Sequence, residues 1–387
     1  MDTLITAGRV LPRPSAPVSD GAVLVRDGVI VAAGPRAEVL PLAAPDAARH
    51  DFPTGTALAG LFNVHVHLAF DASREMLAHF SEGTTVEDAR SRLSSMLRSG
   101  VTTVRDLGDR GHLGAAVRES FSNEVAPRLL VSGPPITVPD GHCHFFGGEV
   151  TSDDAIRALI DANAEAGADV IKVMASGGQI TEGGADMWES QFDARQLSVV
   201  VAHAASHGLP VAAHAHGADA IEAAVAAGVS TVEHCTFLTG PRSFDRRDAV
   251  ASKMAAAGIS ACSTSSRNWR VIVEKVGDEA AQAMYGRLPW LEEHGVRLLA
   301  GTDAGLPGSV FDDPVGALEL YEWLGFPRRR ILEIATCDSA AGLGLGDVTG
   351  RLEAGLAADV LVVEGDPLAS LAALRNPLLV LAKGREA

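Results

Sequence analysis

Six side chains that could bind a metal or move a proton occur at the ends of separate apolar segments. They are His65, His67, Lys172, His214, His234 and Asp303. In His65-Val66-His67 both imidazoles lie on one face of a strand, because side chains alternate along a strand with a period of two. Imidazole and carboxylate groups are ligands of zinc and related cations. The set therefore indicates a metal site.

Predicted strands position these residues. Apolar β-type segments alternate with Ala-rich helical patterns, which is the order of βα units around a parallel sheet. The strands are predicted at residues 58–68, 100–107, 128–133, 169–175, 209–214, 229–235, 258–264 and 296–303. Each candidate then falls at or near the C-terminal end of a strand, where a (β/α)₈ barrel builds its active site. We expect an α/β fold of the (β/α)₈ TIM-barrel type.

The two ends of the chain predict a second, smaller unit. The segments LITAGRVL and GAVLVRDGVIVAAG carry alternating apolar residues around an Asp27-Gly28 turn. The tail from about Gly346 also has β-branched segments separated by Gly, Pro and Asp. We predict a discontinuous β-sandwich domain of residues 1–57 and 346–387, with the barrel spanning residues 58–345.

Composition limits the classes of partner. The 387 residues include 32 Lys plus Arg and 49 Asp plus Glu, a net charge of −17, which disfavours nucleic acid and anionic membranes. We see neither a signal peptide nor a segment of about 18 apolar residues. The four cysteines are scattered without close pairs, as in reduced cytosolic proteins. We expect a cytoplasmic homo-oligomer that acts on a small-molecule substrate.

Six motifs carry a resemblance to a known family. GLFNVHVHL, VIKVMASGG, VAAHAHG, TVEHCTF, LAGTDAG and AADVLVVEGDPL resemble, in this order and over nearly the whole chain, the amidohydrolase superfamily, most of all its imidazolonepropionase-like and Xaa-Pro-dipeptidase-like branch. The resemblance implies a metal-dependent hydrolase. Its hydroxide, shared by two cations, would cleave the amide bond of a dipeptide-like or N-acyl amino acid substrate.

The resemblance also implies roles for residues of this chain. His65 and His67 bind the more buried ion, and Asp303 completes that site and accepts a proton. His214 and His234 bind the more exposed ion, while Lys172 bridges both ions as an N-carboxylated side chain. The implied cofactor is Zn²⁺, two ions per chain, or another divalent transition metal.

Several alternatives remain open at the level of sequence. Lys172 could instead form an ion pair with Asp303 or Glu233. His216 could replace His214 as ligand, although the 20-residue interval to His234 favours His214 and leaves His216 as a catalytic donor to substrate.

Opening of a cyclic amide such as an imidazolone is the alternative reaction. Deamination is disfavoured because Gly217 stands where deaminases of this superfamily commonly have glutamate. A non-enzymatic role in an assembly, as in relatives that have lost the metal, is also disfavoured because the set of ligands is intact. The family pattern usually has an Asp just before the HxH pair, in the region where this chain has Asn63. This difference concerns the groups that surround the metal ligands rather than metal binding itself.

Loops after the strands supply further candidates. His142 and His144 could border the site, bind substrate and polarise the attacked carbonyl, with His144 as a catalytic group. Arg267 and Arg270 could clamp a substrate carboxylate, or could be ordinary solvated arginines. The Gly-rich segment SGGQITEGG lacks the lysine of a phosphate-binding loop, so we interpret it as a lid.

Overall fold

The computed structural model describes residues 2–122 and 124–387, and within these residues the strands form three sheets. The strands are β1 (Asp2–Val10), β2 (Val18–Arg26), β3 (Val29–Pro35), β4 (Ala48–Ala59), β5 (Leu61–Val66), β6 (Val101–Asp106), β7 (Arg128–Val131), β8 (Ile171–Met174), β9 (Val211–Gly217), β10 (Thr231–Gly240), β11 (Ser243–Phe244), β12 (Ser260–Cys262), β13 (Leu298–Leu299), β14 (Val360–Glu364), β15 (Pro377–Ala382) and β16 (Arg385–Glu386).

The helices lie mostly between the parallel strands. They are α1 (Arg36–Val39), α2 (Met76–Glu82), α3 (Val86–Arg98), α4 (Leu113–Ser120), α5 (Asp153–Glu165), α6 (Ala194–Ser206), α7 (Ala218–Ala227), α8 (Asp248–Ala257), α9 (Trp269–Val276), α10 (Asp278–Tyr285), α11 (Arg287–Glu293), α12 (Pro314–Trp323), α13 (Arg328–Glu333) and α14 (Ser339–Gly342). Short 3₁₀ segments span Leu40–Leu42, His144–Phe146 and Leu371–Arg375, and a π-helical turn spans Ile334–Asp338.

Two parallel sheets contain the strands predicted from the alternation of apolar and Ala-rich segments. One has the order β5-β6-β7, and the other has the order β8-β9-β10-β12-β13, with β11 attached to β10. Individual hydrogen bonds join the sheets: Val64 N donates to Ala300 O over 2.9 Å, and Ile136 N donates to Lys172 O over 2.8 Å. In the part of the chain that the structure describes, no continuous ladder spans these two borders. The α/β fold with parallel strands is confirmed, whereas closure into a barrel stays a prediction.

The third sheet combines both ends of the chain. Its strand order is β16-β15-β14-β4-β1-β2-β3, and β4 pairs with β1 on one side and with β14 on the other. The hairpin between β2 and β3 turns at Asp27 and Gly28, whose φ angles of 50° and 82° suit a two-residue turn. The ladders describe one seven-stranded sheet rather than two facing sheets. The expected sandwich is therefore not confirmed.

Helix ends determine where two of the site-bearing strands begin. The Ser152 side chain accepts a hydrogen bond from Ala155 N and caps α5. Gly167 and Gly228 follow α5 and α7 with φ of 83° and 86°, a conformation that favours glycine after a helix. Strands β8 and β10 then start a few residues later, and they carry Lys172 and His234.

The seven-stranded sheet packs against the parallel strands through one face. Along β14, Leu361 belongs to the large apolar core, whereas Val360 and Val362 belong to a separate core within the sheet. This alternation is the period-two pattern of a strand buried on both faces. Gly100 permits the contact, because a Cβ atom there would lie 2.8 Å from a Leu361 methyl. Among the described residues, no helix has the length and hydropathy to span a membrane.

Candidate active site

A cavity of about 140 Å³ lies at the C-terminal ends of the parallel strands. Its lining contains all six predicted metal ligands together with His142 and His216. The complete lining is His65, His67, His142, Cys143, Lys172, Met174, Gln179, Ile180, Met187, His214, His216, His234, Asp303 and Leu306. The parity of strand side chains thus brings together residues that are up to 238 positions apart, counting from His65 to Asp303.

His65 and His67 converge with Asp303 at the end of β5. The Nε2 atoms of His65 and His67 lie 3.4 Å and 3.2 Å from Asp303 Oδ1. Burial, followed by the charge of Lys172, lowers the pKa of His65 to about 4. His65 is therefore neutral at pH 7. Because Nδ1 of His65 lies 2.8 Å from Glu233 Oε2, its Nε2 lone pair is directed toward the cavity.

The backbone at Asp303 has a strained conformation, which hydrogen bonds from a neighbouring side chain stabilise. Asp303 has φ of 58° and His234 has φ of 66°, both in the left-handed region that costs non-glycine residues about 1–3 kcal/mol. Asn63 stabilises the loop that carries Asp303. Its side-chain amide donates a hydrogen bond to Thr302 Oγ1 over 2.7 Å and accepts one from Thr302 N over 3.1 Å. An aspartate could only accept. Asn63, which differs from the family pattern, can therefore make both hydrogen bonds to Thr302.

Lys172 is the least satisfied charged residue of the cavity. Its side chain is 1% exposed, and its Nζ has no hydrogen-bond partner among the described residues. Burial lowers the pKa of Lys172 to about 8. In the part of the chain that the structure describes, Lys172 forms no ion pair with Asp303 or Glu233, which was the alternative suggested by the sequence. Leaving a buried amine without a partner is costly.

Three histidines form the opposite side of the cavity. The ring centroids of His214 and His234 are 4.5 Å apart, and those of His216 and His234 are 4.3 Å apart. One nitrogen from each of the three rings lies within 4.8 Å of the other two. Burial lowers the pKa of both His214 and His234 well below the usual range. Both candidates from the sequence, His214 and His216, are therefore close enough to share a cation with His234.

Glu233 and Arg105 form a buried layer beneath the ligands. Arg105 donates to Glu233 Oε1 over 2.8 Å and to Val64 O over 2.7 Å, and the opposite Glu233 oxygen faces His65. Although burial opposes ionisation, Arg105 and His65 hold the pKa of Glu233 well below its ordinary value. The sequence suggested Glu233 only as a partner of Lys172 and gave Arg105 no role. The available signal was a charged residue within an apolar strand.

His142 meets the segment of residues 177–190, which we call the lid. The His142 ring centroid is 4.5 Å from that of His214, and its Nδ1 lies 3.2 Å from Thr181 Oγ1. Thr181 Oγ1 also accepts a hydrogen bond from Cys143 N over 2.9 Å. A Cβ atom on Gly178 would lie 2.3 Å from the His142 ring, so glycine is required for this close approach. Gln179 and Ile180 of the Gly-rich segment line the cavity, and the role of this segment as a lid stays a prediction.

Three predicted substrate-binding residues lie outside the cavity lining. His144 is grouped with Asp140 and Glu149, whose ligand atoms lie within 4.8 Å of one another. Arg267 lines a different cavity. Arg270 pairs with Glu319 and stacks over Trp269. Neither arginine therefore lines the cavity that contains the metal-ligating cluster.

Comparison with known proteins places this chain in a family of hydrolases. The chain belongs to the amidohydrolase family, whose sequence model matches residues 56–387. Ochratoxinase from Aspergillus niger is 25% identical, with 98% of this chain and 84% of that protein aligned. Imidazolonepropionase from Mesorhizobium japonicum is 25% identical, with 89% and 86% aligned.

A solved structure gives the same fold over the full length. It is a Xaa-Pro dipeptidase with bound methionine in the active site, which is 24% identical, has a TM-score of 0.85 and covers all of both chains. The family membership defines the present chain as a metal-dependent hydrolase of amide-type carbon–nitrogen bonds. Clustered imidazole and carboxylate groups in the cavity agree with that class.

Proposed function

We propose that the cavity binds two divalent cations, with Zn²⁺ as the preferred ion. His65, His67 and Asp303 hold the more buried ion, while His214 and His234 hold the more exposed one. The observation that carries this proposal is a group of buried polar atoms with no hydrogen-bond partner in the described residues. Those in the cavity lining include Lys172 Nζ and Asp303 Oδ1. Such nitrogen and oxygen donors suit zinc.

Lys172 would offer its oxygens to both ions as an N-carboxylated side chain. The neutral form of its amine would attack the carbon of CO₂: the N–C bond forms as one C=O π bond breaks, the electron pair of that bond stays on oxygen, and the nitrogen loses one proton to water. The product is an anion with two oxygen donors in place of a buried cation. The support is the position of Lys172 in the lining and the absence of a partner for its Nζ among the described residues.

The residues of the chain then divide the work of hydrolysis. When bound, the cations polarise the amide carbonyl and lower the pKa of water. Asp303 accepts the proton that water releases and returns it to the leaving nitrogen. Its carboxylate is available because His65 and His67 lower its pKa, although burial opposes this. His142 and His216 donate hydrogen bonds to substrate oxygens, a role for which His142 is better located than His144.

The substrate in this proposal is a small dipeptide-like or N-acyl amino acid amide. The relatives named ochratoxinase and Xaa-Pro dipeptidase support an amide, and the cavity of about 140 Å³ supports a small molecule. Recognition of its carboxylate by Arg267 or Arg270 lacks support, because neither lines the cavity. The imidazolonepropionase relative favours ring opening of a cyclic amide as the second candidate.

The proposal includes the architecture. We propose that the two parallel sheets are halves of one (β/α)₈ barrel spanning residues 58–345, with residues 1–57 and 346–387 as a second domain. The hydrogen bonds at both sheet borders support closure, and the β4–β14 pairing supports a shared terminal domain. The free state of all four cysteines supports a reducing compartment such as the cytoplasm.

Replacing the proton acceptor tests this function. We expect Asp303→Asn to lower kcat for amide hydrolysis by at least ~10², because the general base is lost while an oxygen ligand remains. Most of the metal measured in the purified protein should stay bound. Asp312→Asn, in an exposed neighbouring loop, is the control and should retain wild-type kcat. Wild-type turnover in Asp303→Asn would remove Asp303 from the mechanism.

A further inference from the structure

One wall of the cavity is apolar and continuous with an aromatic cluster. Met174, Ile180 and Leu306 line the cavity, and the same three side chains pack with Phe70 and Phe146. The Phe70 and Phe146 ring centroids are 5.4 Å apart, and Phe146 stacks on His67 at 6.4 Å. This wall therefore stands directly beside the predicted ligands, on the His67 side.

The rest of the lining contains little that could recognise a charged side chain. Met187 adds another apolar group from the lid, and Gln179 is uncharged. Among the lining residues, the amine of Lys172 is the one lysine or arginine group, and the proposed function already uses it. Asp303 supplies the carboxylate of the lining, and the proposed function already uses it as a metal ligand and proton acceptor. A charged side chain of the substrate placed against this wall would thus lose its hydration without gaining an ion pair from a lysine or arginine.

We propose that this enzyme selects amides that carry an uncharged apolar group, aliphatic or aromatic, next to the scissile bond, and that Met174, Ile180, Met187 and Leu306 contact that group. This inference rests on the proposed function. Each methylene buried against such a wall favours binding by a factor of about four. A leucine or phenylalanine side chain should consequently be preferred to alanine by at least about tenfold in kcat/KM.

The test compares two substrate series on the metal-loaded enzyme. In one series the acyl group varies, and in the other the amine-side residue varies, through Ala, Leu, Phe, Asp and Lys. We expect Leu and Phe to exceed Asp and Lys by at least about 30-fold in one series or both. Absence of turnover for every amide would contradict the proposed function itself. Turnover that is independent of side-chain polarity in both series would overturn the present inference and leave the function intact.

Two variants assign the preference to the wall. Leu306→Lys should lower kcat/KM for the Leu substrate by at least tenfold and raise it for the Asp substrate, because the wall then offers a cation. Met187→Lys, on the partly exposed lid, makes the same test if Leu306→Lys folds poorly. Leu42→Lys, at a residue that is 52% exposed, is the matched control and should leave the ranking unchanged. An unchanged ranking in a folded Leu306→Lys or Met187→Lys protein would rule out the assignment.

Discussion

At the scale of single residues, the amine of Lys172 is the cavity group whose burial costs the most free energy. A lysine that is 1% exposed would ordinarily require a carboxylate, yet neither nearby acid forms an ion pair with it among the described residues. Asp303 lies close to His65 and His67, and Glu233 binds Arg105. The positive charge of Lys172 also lowers the pKa of His65. Conversion of the amine to an anion would reverse this electrostatic effect on the neighbouring imidazoles.

Metal content provides the first residue-scale prediction. Purified wild-type protein should contain about two divalent ions per chain, and Lys172→Met should contain one or none, because methionine offers no bridging oxygens. Metal analysis by mass spectrometry measures the ratio. Lys253→Met, on the exposed side of α8, is the matched control. Two ions retained in Lys172→Met would contradict the bridging role, whereas recovery of metal in wild type by added bicarbonate would support it.

The residues of the cavity differ in how far sequence could predict them. His65, His67 and Asp303 could be predicted because strand parity and the ends of parallel strands fix their direction. The Arg105 to Glu233 contact could not, because their pairing depends on the register between strands from two different sheets. The positions of loop residues such as Arg267 could not be predicted, because a side chain on a loop has no periodicity that fixes its direction.

At the scale of elements, the lid is connected to the site through one hydroxyl group. Thr181 Oγ1 accepts from Cys143 N and lies against His142 Nδ1, so one lid residue holds both the loop after β7 and a proposed substrate donor. Cys143 itself has φ of 59° and needs external support in that conformation. The lid therefore orients His142 as well as lining the cavity.

Removing that hydroxyl should affect turnover without affecting metal. Thr181→Val preserves the shape of the side chain but leaves Cys143 N unsatisfied, which costs about 1–3 kcal/mol. We expect kcat/KM to fall by about tenfold or more at unchanged metal content, and Thr181→Ser to restore most of it. Steady-state kinetics of the two variants provide the measurement. If valine and serine behave alike, the hydroxyl does not couple the lid to His142.

At the scale of the whole molecule, the terminal sheet and the parallel strands share one packed core through Leu361. The β-branched segments at both termini predict a pairing of the distant ends, and β4 and β14 form an antiparallel ladder. The single seven-stranded sheet could not be predicted, because the order of strands depends on tertiary packing rather than on local pattern. The net charge of −17 adds self-repulsion at neutral pH.

Acid should destabilise the metal-free protein through its buried histidines. Burial lowers the pKa of both His65 and His142 to about 4, against an ordinary value of 6.5. Between these values the unfolded chain binds protons that the folded chain excludes, so this stability is fully present above pH 6.5 and is lost as pH falls. At pH 5 each histidine accounts for up to about 2 kcal/mol. Protonation also reduces the net negative charge, which acts in the opposite direction.

The midpoint of urea unfolding of the chelator-treated protein should therefore be lower at pH 5 than at pH 7.5. Asp106 and Asp109, whose pKa burial raises, would stabilise the folded protein as pH falls, so a decrease belongs to the histidines. His142→Asn should reduce the pH dependence, because one buried imidazole is removed, whereas His50→Asn on the terminal sheet should not. A midpoint that is equal or higher at pH 5, with the same pH dependence in wild type and in His142→Asn, would contradict the burial of these histidines as neutral groups.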